Sequence, residues 1–245
     1  MRSLRMALRT MIVDLFLIGS ICGISACGSG SDSQSTVTQS TQPAHPYTTT
    51  FPHAENPIAE NGVWVNGGMV GLDWTNVQTT TGLVFGTETG SVGFDDSIAI
   101  LSGSWKPDQT AMAIVHSVNQ QSGNIEEVEL LLRFQIMPHI ARGYEINFRC
   151  IQDGTQYSQV VRWNGPFGDF TLLDSRVGPG IRDGDMIKAT IIGNVITVYL
   201  NELELFSVTD STWVEGNPGL GFFLSGAAGL NRDYGFTSYT ASDGT

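Results

Sequence analysis

The sequence predicts an all-β fold, a two-sheet antiparallel β-sandwich, on three observations. From residue 51 onward, apolar residues alternate with polar ones in short runs of period two. Clusters of Gly, Asn and Asp interrupt those runs every 8 to 14 residues or so, the spacing of short strands joined by turns. No apolar period of 3.6 persists beyond two helical turns.

The segment 1–27 reads as an export signal. Arg2, Arg5 and Arg9 form a positive start, and Met11 to Ile24 form an apolar stretch interrupted by Asp14. That stretch is shorter than the roughly 20 residues a membrane-spanning helix needs. It ends in Ile24-Ser25-Ala26-Cys27, which resembles the bacterial lipobox, in which the cysteine thiol takes a diacylglycerol and becomes the new N-terminus. Cys27 is therefore the expected lipidation site, with a membrane partner through that lipid only. Gly28 follows it, not the aspartate that retains many such proteins at the inner membrane, so an outer membrane is the expected destination where one exists. Residues 28–50 are rich in Gly, Ser, Thr and Gln and read as a flexible tether. The sandwich is expected over 51–245.

Strands are expected at Gly82–Glu88, Asp96–Trp105 and Gln109–Asn119. In Glu126–Ile136, alternation puts Val128, Leu130, Leu132 and Phe134 on one face and Glu127, Glu129, Leu131 and Arg133 on the other. Gly143–Ile151 repeats this, with Tyr144, Ile146, Phe148 and Cys150 inward and Glu145, Asn147 and Arg149 outward. Tyr157–Asn164 and Phe170–Val177 follow, and short connections make these four strands an antiparallel meander. Lys188–Ile192 and Val195–Leu200 form a hairpin through Gly193-Asn194, and Leu203–Val208 pairs back through Asn201-Glu202. Gly219–Leu224 and Tyr234–Thr240 close the domain.

The stretch from Gly184 to Gly221 contains Thr197-Val198-Tyr199-Leu200-Asn201, then Asp210-Ser211-Thr212-Trp213, then Gly219-Leu220-Gly221. It resembles the late part of concanavalin A-like domains of the laminin-G and 3-keto-disaccharide-hydrolase type. Gly143-Tyr144-Glu145-Ile146-Asn147-Phe148 resembles a strand of the same domains. Glu202 stands where that family usually has glycine. The resemblance implies a jelly roll whose concave sheet commonly bears a sugar-binding or catalytic groove. Relatives include lectins, glycan-cleaving enzymes and protein-binding modules, and the fold does not choose among them.

Three readings of the polar face of the meander stay open. In the first, Arg133, Asn147, Arg149, Gln159, Arg162 and Trp163 bind a glycan or cell-envelope polymer, the indole supplying an apolar face and the guanidinium groups bidentate contacts. In the second, Glu127 and Glu129, about 7 Å apart along one strand face, act as a glycoside hydrolase or lyase pair, with Glu145 as a third carboxylate. In the third, the acids and arginines close cross-strand ion pairs on a solvated face, and the domain is a protein-interaction module. No cofactor is called for beyond a structural calcium, for which Asp95, Asp96 and Asp233 are the expected ligands.

Losing residues 1–26 removes three of 12 basic and one of 24 acidic side chains, leaving 9 and 23. A domain this acidic has no electrostatic footprint for nucleic acid or anionic lipid. Cys150 is left alone in an apolar alternation and is expected to pack as a small hydrophobe. About 190 residues bury roughly 70% of their chain surface, enough core without a disulfide.

Overall fold

The computed structural model describes residues 45–70, 74–90, 96–226 and 230–244. Cys27 and Asp95 lie outside these residues. Fifteen strands are seen among them: β1 (Tyr47–Thr49), β2 (Trp64–Asn66), β3 (Gln78–Thr80), β4 (Leu83–Phe85), β5 (Ser97–Leu101), β6 (Gln109–Ser117), β7 (Ile125–Met137), β8 (Ile140–Arg149), β9 (Ser158–Gly165), β10 (Phe170–Arg176), β11 (Met186–Ile192), β12 (Val195–Leu200), β13 (Leu203–Thr209), β14 (Asn217–Ser225) and β15 (Tyr234–Asp243). One sheet has the order β13-β12-β11-β6-β15-β4-β3, with β1 added on β15. The other has the order β10-β9-β8-β7-β14-β5-β2, so the expected meander β7 to β10 forms one half of it. The two sheets make the antiparallel sandwich that the alternation predicts. No described helix is long and apolar enough to cross a membrane.

β1 corrects the expected start of the sandwich. Tyr47 to Thr49 pair with Ala241 to Tyr239 inside the stretch read as tether. The Tyr47 hydroxyl donates to Glu60, and Trp64 Nε1 donates to Glu60 Oε2 at 3.0 Å, which pins this edge down.

Between the sheets lies one large apolar core. Val128, Leu130, Leu132, Tyr144, Ile146, Phe148, Val160, Leu220 and Phe222 supply it from the seven-stranded sheet. Ala111, Ala113, Val115, Ile187, Ala189, Ile196, Val198, Phe236 and Tyr239 meet them from the other. Cys150 is buried in this core, as its place in the alternation predicts.

The seven-stranded sheet is covered on its outer face as well. Trp74, Ile98, Ile100, Leu131, Phe134, Ala141, Val161 and Trp163 form a second buried cluster there. Trp74, from the loop before β3, packs edge-on against Trp163 at 4.5 Å between ring centroids. Phe167, from the β9–β10 turn, stacks edge-on against Trp74 in turn.

The alternation in β7 holds to Leu132 and then changes face. Pairing with β8 runs Leu132↔Tyr144 and then Gln135↔Arg142, so Arg133 and Phe134 together stand against Gly143. Arg133 has φ 47°. Such a bulge inserts one residue and swaps the faces of the residues beyond it. Phe134 therefore joins the outer cluster, and Arg133 turns toward the opposite sheet. Its guanidinium is 2% exposed and donates to the carbonyls of Pro107 (2.7 Å), Trp213 (3.0 Å) and Gly193 (2.6 Å). Gly143 permits the bulge, because a Cβ there would sit 2.6 Å from Phe134 Cα.

Candidate functional site

Register fixes what shares the outer face. On it, Glu127 lies between Phe223 of β14 and Arg149 of β8. The next row reads Gly221, Glu129, Asn147, Gln159, and the one after reads Gly219, Leu131, Glu145, Val161. Trp163 is paired with Phe170 at the far edge. Period two thus delivers Glu127, Glu129, Glu145 and Asn147 to one surface, the face on which the sequence places them, and adds Gln159 and Trp163, whose parity is opposite to that of Arg162.

That surface holds a cavity of about 170 Å³ lined by Asp96, Glu127, Glu145, Asn147, Gln159, Val161, Trp163, Phe170 and Phe223. Phe170 is 41% exposed at its rim. Sequence reasoning missed Phe170, Phe223 and the arrival of Asp96 here. The pairing of Phe170 across from Trp163 was the signal available, since two facing strands bring their aromatics to one edge.

The face is not the solvated sheet of ion pairs that the third reading expected. Glu127, Glu129, Glu145 and Asn147 are all buried, Glu129 completely. Arg133 has left the face through the bulge and lies 3.7 Å from Asp108. Arg162 has the inward parity of Val160; it binds Asp210 at 2.6 Å and Thr212 at 2.8 Å, across the edge of the sandwich. Arg149 stays on the face but donates to the carbonyls of Asn124 and Thr155 and lies over the Tyr157 ring. None of the three closes an ion pair with Glu129 or Glu145 among the described residues. The expected arginine ligands Arg133 and Arg162 are therefore corrected to structural roles, because the bulge and the strand parity carry them inward.

Trp163 is also corrected as an exposed platform. It is 3% exposed, and its Nε1 donates to Glu145 Oε2. Its ring is part of the cavity wall and of the second apolar cluster.

The electrostatics follow from burial. Burial pushes the Glu127 carboxyl up to about 7, the Tyr157 hydroxyl hydrogen bond and the Arg149 charge pull it down, and Glu145 pushes it up. Glu129 is held well above the usual carboxylate range by burial first, then by the charges of Glu145, Asp96, Glu127 and Glu88. Glu145 is raised by burial, against hydrogen bonds from Trp163 and Asn147.

Glu127 and Glu129, expected as a catalytic pair, differ in access. Glu127 lines the cavity, whereas Glu129 is sealed beside it with Gly221 as its cross-strand neighbour. The calcium set is corrected as well. Asp96 does join a group of carboxylates close enough to share an ion, but its companions are Glu129 and Glu145. Asp233 instead sits near Glu126, whose carboxyl its charge helps to raise, at the other end of the strand alternation.

A second concavity, of about 420 Å³, lies between Gln152, Arg182, Asp185 and Asn201. Its side chains already satisfy one another: Arg182 donates to Gln152 at 3.1 Å and Asn201 to Asp185 at 2.9 Å.

The carbohydrate-binding module CBM66 from Bacillus subtilis superposes with a TM-score of 0.50 at 16% identity, over 74% of this chain and 92% of that one. What the two share is a two-sheet antiparallel jelly-roll sandwich. The carbohydrate recognition domain of Emp46p in its metal-free form gives the same TM-score at 10% identity, over 80% of this chain and 95% of that one. No family model and no curated protein matches the chain. At these identities the likeness is one of jelly-roll fold. The Asp-Ser-Thr-Trp turn that carried the resemblance has a fold role here. Asp210 accepts from the Tyr144 hydroxyl (2.7 Å) and the Thr212 amide (2.8 Å), and Trp213 Nε1 donates to the Trp163 carbonyl (2.9 Å).

Proposed function

We propose that this protein binds carbohydrate in the outer-face cavity of the seven-stranded sheet, taking one sugar unit, such as the end of a glycan chain. The observation that carries the reading is the composition of that cavity. Carboxylate and amide heads of Glu127, Glu145, Asn147 and Gln159 face the same space as the rings of Phe170, Phe223 and Trp163. Sugar hydroxyls donate to carboxylates and both donate to and accept from amides. The C–H faces of a pyranose or furanose pack on aromatic rings. Pockets for larger ligands run to roughly 300–1,000 Å³, so about 170 Å³ favours a single unit over a chain laid along a groove. Two fold neighbours, a carbohydrate-binding module and a carbohydrate recognition domain, agree with this class of ligand.

The domain would work at the cell envelope, held there by a lipid on Cys27 and a tether, with an envelope or external glycan as partner. Cys27→Ser should move the protein from the membrane fraction to the soluble fraction.

A glycan array followed by calorimetry tests the binding reading. Gln159→Ala and Phe170→Ala should each weaken the best ligand by roughly tenfold, about 1.4 kcal/mol. Arg162→Ala should leave affinity unchanged, because its guanidinium serves Asp210. An array without a ligand, or a Phe170→Ala protein that binds as the parent does, overturns the reading. Release of reducing or unsaturated sugar that is lost in Glu127→Gln would replace it with glycan cleavage.

A further inference from the structure

Asp96, Glu129 and Glu145 each offer one carboxylate oxygen within 4.8 Å of the others. Oxygens this close can share one ion, since two ligands of a calcium at 2.3–2.6 Å lie at most about 5 Å apart. All three side chains are buried: 5%, 0% and 3% exposed. Three carboxylates so placed repel one another and have lost their water. Such a group is relieved either by taking up protons or by a counter-charge.

Two further observations point to a ligand. Both oxygens of Glu129 lack a hydrogen-bond partner. The Oδ1 of Asn147 also lacks one, although this side chain is only 4% exposed and lines the cavity that Asp96 and Glu145 line. The amide orientation is fixed by its other end, since Nδ2 donates to Glu145 Oε1 at 2.9 Å. Its Oδ1 is a neutral oxygen beside the acid cluster with nothing to accept from. Asn147 is also the direct cross-strand partner of Glu129.

We propose that Asp96, Glu129, Glu145 and the amide oxygen of Asn147 bind a divalent cation of the calcium class at the inner end of the cavity. The donors are all hard oxygens, which select calcium, magnesium or manganese over zinc and copper, and a buried set of protein oxygens suits calcium better than magnesium, which dehydrates reluctantly and keeps several of its waters. The ion would tie the start of β5 to β7 and β8 and fix Asp96, Glu145 and Asn147, the three donors that also line the cavity. This site needs no sugar and stands whether or not the cavity binds one.

The test uses the full chain stripped with chelator, in the absence of any glycan. Calcium should bind in calorimetry at about one ion per chain and raise the thermal midpoint, with magnesium giving a smaller rise. Terbium should bind in its place and luminesce on indole excitation, because the Trp163 indole is bonded to Glu145, and calcium should quench that signal by displacement. Glu129→Gln and Asn147→Ala should each weaken calcium by roughly tenfold or more. Glu129→Gln should also fold without calcium at least as stably as the parent, since it removes a repelling carboxyl. No calcium binding, or binding that both substitutions leave unchanged, overturns the proposal. Loss of glycan binding with calcium binding intact would count against the sugar reading alone.

Discussion

Gly221 stands directly across from Glu129, and a Cβ on it would lie 2.1 Å from Glu129 Oε2. The absent side chain on β14 is what gives the buried carboxylate its place. Gly219, one pair further along, is equally closed in, with the Ala99 carbonyl 2.4 Å from its would-be Cβ. The Gly-Leu-Gly run therefore does two things at once: Leu220 fills the main core while the flanking glycines make room on the outer face.

Gly221→Ala should displace the Glu129 carboxylate or push β14 outward. Overpacking of this kind costs about 1–3 kcal/mol. Denaturant unfolding would show the loss, and calcium titration would show weakened binding in the same variant. Gly221→Ala in the Glu129→Ala background should recover part of the stability, because the methyl then has space. If the double variant is as unstable as the sum of the singles, the steric account of Gly221 is wrong.

Trp163 and Glu145 give the second prediction. The indole N–H is the hydrogen bond that reaches Glu145 Oε2 from the neighbouring strand. Trp163→Phe keeps an aromatic ring in the second cluster but leaves that carboxylate oxygen without its donor. A buried polar group that loses its partner costs about 1–3 kcal/mol. The expected outcome is a destabilised protein whose loss is largely restored by Trp163→Phe with Glu145→Gln, measured by thermal or denaturant unfolding. Equal stability of Trp163→Phe and the parent would mean that the bond contributes nothing.

The main sandwich was legible because its long strands alternate cleanly, and β7 as far as Leu132, β8 and β9 place their inward residues as period two requires. Three things were not. β1, β2 and β3 are three residues each, too short for alternation to register, and β1 is a Tyr-Thr-Thr in a Thr-rich stretch. The bulge at Arg133 leaves no mark in Leu-Leu-Arg-Phe-Gln, since either face of that run can be read as apolar. The cover over the outer face comes from Trp74 and Phe167 in loops. One signal did exist for that cover: Ser97–Leu101 is buried at every position, and Ile98, Ile100 and Leu131 are apolar on the side read as solvated. A strand apolar on both sides belongs to a sheet covered on both faces. The carboxylates and Arg149 were correctly sent to one surface, and Arg133 and Arg162 were not, because parity and the bulge act on single residues.

Glu126 provides a pH test away from the cavity. Burial, and then the charge of Asp233, push its carboxyl from 4.5 up to about 7. The Cys150 thiol and the Tyr234 hydroxyl also face it electrostatically. A carboxyl raised in the folded state holds its proton more tightly there than in the unfolded chain. Its favourable contribution is complete below about 4.5 and is lost as pH rises through about 7. Glu126→Gln is neutral throughout. The difference in thermal midpoint, variant minus parent, should therefore grow between pH 4.5 and pH 7 and level off above it. A difference that is flat over that range would show that Glu126 titrates normally.

The turn between β12 and β13 gives the last prediction. Leu200 pairs with Leu203, so Asn201 and Glu202 are its two central residues, and both have positive φ, 50° and 67°. This is the primed geometry that suits the twist of paired strands, and it prefers Asn followed by Gly. Asn201 tolerates it, and its Oδ1 accepts from the Met186 amide at 2.9 Å. Glu202 carries a Cβ where the left-handed region costs about 1–2 kcal/mol. It recovers little of that through Lys188, 3.0 Å from its carboxylate, because Glu202 is 68% exposed and an exposed pair contributes about 0–1 kcal/mol. Glycine also loses more backbone entropy on folding, which offsets part of the gain. Glu202→Gly should nonetheless stabilise the sandwich by about 0.5–1 kcal/mol, read as a higher denaturant midpoint at unchanged slope. Asn201→Ala should do the opposite, since it loses both the bond to Met186 and the residue type suited to positive φ. If Glu202→Gly lowers the midpoint, the Lys188 pair outweighs the backbone strain and the turn argument fails.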